Sequence, residues 1–119
     1  IGYVNAHGTS TNMNDASESR GIRGVFGAHA DRLPVSSTKS MMGHLVAACG
    51  AVEAIVTLLA VNRGELPRTR NLDEPDPECD LHHIRGETRS VKIRHGLTNA
   101  FGFGGSNGSL ILSSWIKDG

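Results

Sequence analysis

The least polar stretch of the chain runs from Leu45 to Val61, where Glu53 and Thr57 are the only polar side chains. A helix that is apolar all round is buried on all sides or lies in a membrane. This run is short for a span, carries a central carboxylate and ends at Arg63 without a second anchor. It therefore predicts a central core helix that presents His44 from its first turn and stops at Gly64, a glycine where a helix C′ residue belongs. The polar residues just ahead of it, Ser36 to Ser40, read as a loop carrying Lys39.

The remaining elements follow from shorter patterns. Ile1 to Asn5 is an apolar run, expected as a buried strand that delivers His7 at its C-terminal end. Asp15, with Glu18 three residues later, has the form of a capping box opening a helix that reaches about Gly27, with Ile22, Val25 and Phe26 on its apolar side. Leu33 to Ser36 is a second short strand. Pro67 to Cys79 holds three of the four prolines and several acids, and predicts an extended surface loop. Arg89 to Ile93 alternates like a half-exposed strand. Gly96 to Phe101 and Ser109 to Trp115 are strands that could pair as a hairpin around the glycine-rich Gly102 to Gly108. Strand, helix, strand, helix and then strands imply an α/β layer with a mixed sheet.

Composition narrows the partners more than the fold. At 119 residues the chain has room for one domain with a modest core. Basic and acidic residues balance at 12 each, so nothing marks a nucleic-acid or membrane-surface binder. Cys49 in the apolar helix and Cys79 in a polar loop suggest no disulfide framework, which fits a reducing, cytoplasmic compartment. No leader segment is visible, and the chain opens inside a strand without an initiator methionine, as a fragment or processed product would.

Several residues could carry chemistry. His7 and His44 both lie beside a glycine near the start or end of an element, and in an open α/β sheet both would face one crevice. His44 at a helix N-terminus would be held neutral by the macrodipole and could donate a hydrogen bond to a developing enolate or oxyanion. Two buried, hydrogen-bonded structural histidines would have the same spacing. Lys39 reads as a group that orients a substrate or a histidine, or as a solvated loop lysine. Glu53, a carboxylate in an apolar helix, requires a partner. It is half a turn out of phase with His44, which leaves Lys39 as the plausible counter-ion, in a structural ion pair or a catalytic one. Gly102 to Gly108 lacks the lysine of a phosphate loop and could instead bring backbone N–H groups to a reacting oxygen. Cys49 reads as a small core residue, and the carboxylates around Cys79 disfavour its thiolate. Cys79 with His82 and His83 is too sparse for a zinc site.

Four motifs stand together in one order: Asn5-Ala6-His7-Gly8-Thr9-Ser10-Thr11, Ser37-Thr38-Lys39-Ser40-Met41-Met42-Gly43-His44, Gly50-Ala51-Val52-Glu53-Ala54 and Asn99-Ala100-Phe101-Gly102-Phe103-Gly104-Gly105-Ser106-Asn107. Over nearly its whole length the chain closely resembles the C-terminal half of β-ketoacyl-acyl-carrier-protein synthases of the elongating type. Ketosynthase domains of polyketide synthases are close relatives.

The resemblance implies a thiolase-like fold, present here as its C-terminal half over residues 1–119, and a decarboxylative Claisen condensation with malonyl-carrier protein in fatty acid biosynthesis. It implies that His7 and His44 are the catalytic histidines and that Lys39, held by Glu53, supports them. Thr9 and Thr11 would bind the phosphopantetheine arm, Phe101 and Phe103 would form the acyl gate, and the Phe103 N–H would join an oxyanion hole. No cofactor would be bound, since phosphopantetheine arrives on the acyl-carrier protein. The partners implied are that carrier, the N-terminal half with its nucleophilic cysteine, and a second copy in a homodimer. Neither Cys49 nor Cys79 matches the nucleophile, so this stretch alone should not condense anything. The alternatives are a polyketide ketosynthase domain and a non-catalytic partner subunit; retention of both histidines and Lys39 argues against the last.

Overall fold

The computed structural model describes residues 1–115, so positions 116–119 of the expected domain lie outside the described residues. Four strands form a mixed sheet in the order β2-β1-β5-β6. Strand β1 (Tyr3–Asn5) pairs in parallel with β2 (Val35–Ser36) on one side and with β5 (His95–Phe101) on the other. Strand β6 (Asn107–Ser113) pairs antiparallel with β5, completing the expected hairpin across the glycine-rich turn. A second, two-stranded sheet joins β3 (Glu65–Leu66) to β4 (Arg89–Ser90), so the alternation predicted over Arg89 to Ile93 is strand only at its start.

Parallel strands need crossovers, and the two long helices supply them. Helix α1 (Asn12–Phe26) connects β1 to β2, and α3 (Cys49–Arg63) lies in the connection from β2 toward β5. Alternate side chains of β1 go to opposite faces. Val4 packs with Ala6, Ile22 of α1, Leu33 and Val35. Tyr3 packs with Ala60 of α3, Leu66 and Ile84. With both faces covered β1 is wholly buried, as an uninterrupted apolar run requires. Each fully buried valine, leucine or isoleucine among them contributes about 1.5–3 kcal/mol. Helix α3 lies so near β5 that a Cβ on Gly96 would come within 2.9 Å of both Thr57 and Val61, which is why glycine stands there.

Three expectations about local structure are corrected. Helix α1 begins at Asn12, a turn before Asp15, because Thr11 is its N-cap and accepts a hydrogen bond from the Asn14 N–H. Glu18 consequently sits inside the helix and closes no capping box. The core helix begins at Cys49, after a 3₁₀ turn at Val46–Ala48, because Val46 has φ +53° and no α-helix passes through that conformation. His44 thus precedes the helix, outside the first turn where the macrodipole acts. Finally, α3 is not covered on all sides within this chain: Ile55 is 59% exposed, and Leu58 and Leu59 are exposed beside it. The acidic loop is irregular as expected, apart from a 3₁₀ turn at Pro77–Cys79 capped by Asp76.

Candidate active site

His7 follows β1 on the side facing α3 and is 5% exposed. Its backbone is fastened by Glu18, whose carboxylate accepts the N–H groups of His7 and Gly8, each at 2.9 Å. The same carboxylate accepts from the Asn99 side chain of β5 at 3.0 Å and from Asn14 at 3.3 Å. Gly8 has φ +44°, and a Cβ there would lie 2.5 Å from that of Ser37. Only glycine lets the chain turn away so close behind the histidine.

The imidazole is fixed as firmly as its backbone. Nδ1 lies 3.4 Å from the Phe101 N–H, which donates to it, and 3.3 Å from Nζ of Lys39. Both neighbours are donors, so Nδ1 carries no proton and the ring hydrogen is on Nε2. Burial first, and the Lys39 charge second, hold this imidazole below its ordinary pKa, so it is neutral at pH 7.

Lys39 is buried, and it opens a one-turn helix, α2 (Lys39–Met42), where a loop was expected. It makes a salt bridge with Glu53 Oε1, the counter-ion anticipated from the sequence. Burial pushes the Glu53 carboxyl above its ordinary range, and the Lys39 hydrogen bond draws it partly back. Glu53 Oε2 has no hydrogen-bond partner among the described residues. Asn5 ties the pair to β1: its Nδ2 donates to the Glu53 carbonyl at 3.3 Å and to Thr57 Oγ1 at 3.2 Å.

His44 meets His7 edge-on, with ring centroids 5.6 Å apart and planes at 90°. Unlike His7, it is exposed in this chain. Its Nδ1 accepts the Val46 N–H at 3.0 Å. Phe101 packs on the other side of His7, with centroids 5.2 Å apart. Phe103 does not join this cluster: it lies in a 3₁₀ turn and its ring is 96% exposed. Thr9 and Thr11 share a hydrogen bond of 2.8 Å and line a crevice of about 750 Å³, with His44, Lys39, Thr69 and Arg70 also in its wall. Cys49 is buried, as a core residue should be, and its Sγ touches the Nδ1 side of His44. Burial raises the Cys79 thiol, helped by the acids around it. Among the described residues no cluster could hold a metal.

The sequence marks Glu18 only as a capping-box residue and Asn99 only as a motif position, neither as a member of the site. The available signal was position: Glu18 lies one turn before Ile22, on the buried face of α1.

A mixed sheet covered by helices on both faces, with one histidine after a central strand and its companion ahead of a core helix, is one half of a thiolase-like fold. Residues 1–73 match the family described as beta-ketoacyl synthase, C-terminal domain, and the chain belongs to that family. It is 46% identical over 115 residues to 3-oxoacyl-[acyl-carrier-protein] synthase 2 of Synechocystis, covering 97% of this chain and 28% of that protein. Among solved structures, a beta-ketoacyl synthase from Burkholderia phymatum aligns with TM-score 0.92 at 45% identity, over 98% of this chain and 28% of that one. A type II polyketide ketosynthase bound to its acyl-carrier protein aligns with TM-score 0.93 at 35% identity, over the same shares. The chain thus spans little more than a quarter of the length of these relatives.

Proposed function

We propose that this chain is the two-histidine part of a condensing enzyme that elongates an acyl chain with malonyl-acyl-carrier protein, in the cytoplasm. The observation that carries the reading is the pair itself: two imidazoles in edge-on contact, each with Nδ1 occupied by donors, so that each has an Nε2–H to offer. As the malonyl C–C bond breaks and carbon dioxide leaves, its electron pair moves into the thioester, and the two N–H groups stabilise the resulting enolate oxygen. The enolate carbon then attacks an acyl thioester on a cysteine supplied by the rest of the protein, and that thiolate departs. Neutral donors suit this step, since they stabilise the oxyanion without protonating the carbon. Burial first, and the Lys39 charge second, keep His7 in that state, and Glu53 is the counter-ion that holds Lys39 beside it. Thr9 and Thr11, in the crevice wall, would take the phosphopantetheine arm that the carrier brings, so that no bound cofactor is needed. Phe101 packs against His7, and the exposed Phe103 ring would close over the acyl chain once the remainder of the protein is present.

The similarity to a polyketide ketosynthase favours one alternative, a longer or already elongated acyl substrate, handled by the same chemistry. In the full-length protein, His7→Ala or His44→Ala lowers decarboxylation of malonyl-carrier protein by about 10²–10³, the worth of an oxyanion donor. Parental rates in both variants would overturn the assignment.

A further inference from the structure

We propose that Cys49 is a positioning residue for His44, donating its thiol hydrogen to Nδ1 and so fixing the ring with its proton on Nε2. The inference rests on the functional reading only for its catalytic consequence. Cys49 Sγ lies 3.3 Å from His44 Nδ1 and 3.1 Å from the Leu45 N–H. The Leu45 N–H can only donate, so sulfur accepts there. The direction of the other contact is decided by Val46, whose N–H points at the same Nδ1 from 3.0 Å. A proton on Nδ1 would face that N–H head-on. Nδ1 is therefore an acceptor, and the thiol, a weak donor as well as an acceptor, gives its hydrogen to it.

The arrangement has a structural purpose. His44 and the residues after it are exposed, yet Cys49 beneath them is 4% exposed and belongs to the first turn of α3. The relay from Leu45 N–H through sulfur to Nδ1 thus couples an exposed ring to a rigid helix. Val46, held at φ +53°, adds the second donor. Lys39 and Phe101 do the equivalent for His7 from the other side.

The test uses the full-length protein with ¹⁵N-labelled histidine, the His44 signals being assigned by their loss in His44→Gln. In the parent, Nδ1 of His44 is unprotonated and hydrogen-bonded. Cys49→Val fills the volume without a donor, so the Nδ1 resonance moves toward that of a free acceptor nitrogen. Decarboxylation of malonyl-carrier protein falls about three- to tenfold, the worth of one hydrogen bond. Cys49→Ser, which restores a donor, recovers most of both. A protonated Nδ1 in the parent, the same resonance in the Val and Ser variants, or a parental rate in Cys49→Val would each overturn the proposal. A failure of the two-histidine reading would show instead in the His44→Ala rates, and the resonance would still decide the role of the thiol.

Discussion

The two histidines sit in segments of opposite character. The turn after β1 is closed on itself: His7 is buried, its N–H and that of Gly8 end on Glu18, and its ring is set by Lys39 and Phe101. The segment from Met41 to Ala48 is open. Val46 is 67% exposed, Leu45 40%, and from His44 onward its hydrogen bonds run only to its own residues and to Cys49. Ile55, Leu58 and Leu59 of α3 are exposed as well. Large exposed apolar patches mark surfaces suited to a partner. One half of the site is buried within this chain, while the other is left open to solvent here.

If the His7 turn is self-contained, its buried charges are its weakest point. Lys39→Met leaves Glu53 buried with no donor on either carboxylate oxygen, since Oε2 already lacks one among the described residues. Breaking one partner of a buried pair costs about 3–5 kcal/mol. Urea unfolding of the full-length protein should show this as a lowered midpoint, and a loss under about 1 kcal/mol would mean that the pair is wetter than its surroundings imply.

Glu18→Gln probes the backbone anchor with a smaller change. The amide keeps one oxygen for four donors and turns an NH₂ toward the others, leaving a buried N–H unmet. The expected cost is about 1–3 kcal/mol, with amide exchange at His7 and Gly8 accelerating together. Unchanged exchange at those two positions would show that Glu18 is not what fastens the turn.

What the sequence disclosed divides along the same line. The sheet was legible because β1, β5 and β6 carry patterns that sheets impose, and Glu53 pointed to Lys39 because a carboxylate in an apolar helix must be paired. Glu18 was misread because Asp15 and Glu18 have capping-box spacing; Thr11, four residues earlier than Asp15, competes for the cap and wins. The start of α3 was misplaced for a different reason. Nothing in Leu45 or Val46 resists a helix, and the break at Val46 appears only with the three-dimensional demand that its N–H meet His44. Phe103 illustrates the last limit: its ring is exposed among the described residues, so nothing in their pattern shows what it packs against.

The smallest expected effect is the one that bears most directly on the difference between the segments. Ser10 and Val46 both occupy the left-handed region, at φ +62° and +53°. A non-glycine residue there costs about 1–3 kcal/mol, of which glycine returns all but the roughly 1 kcal/mol of extra chain entropy that it loses on folding. Ser10 is exposed and its turn is complete, so Ser10→Gly should raise the stability of the full-length protein by about 0.5–1 kcal/mol. Val46→Gly relieves a β-branched side chain, whose strain is greater, and with nothing else changed it should stabilise more. If the open segment is covered by the rest of the protein, the change also removes an apolar contact. Losing a buried valine side chain forfeits about 1.5–3 kcal/mol. Denaturant midpoints should therefore rank Val46→Gly below Ser10→Gly. The reverse order would mean that the His44 segment stays open in the whole protein, and that Cys49 and the Val46 backbone alone hold that histidine to its partner.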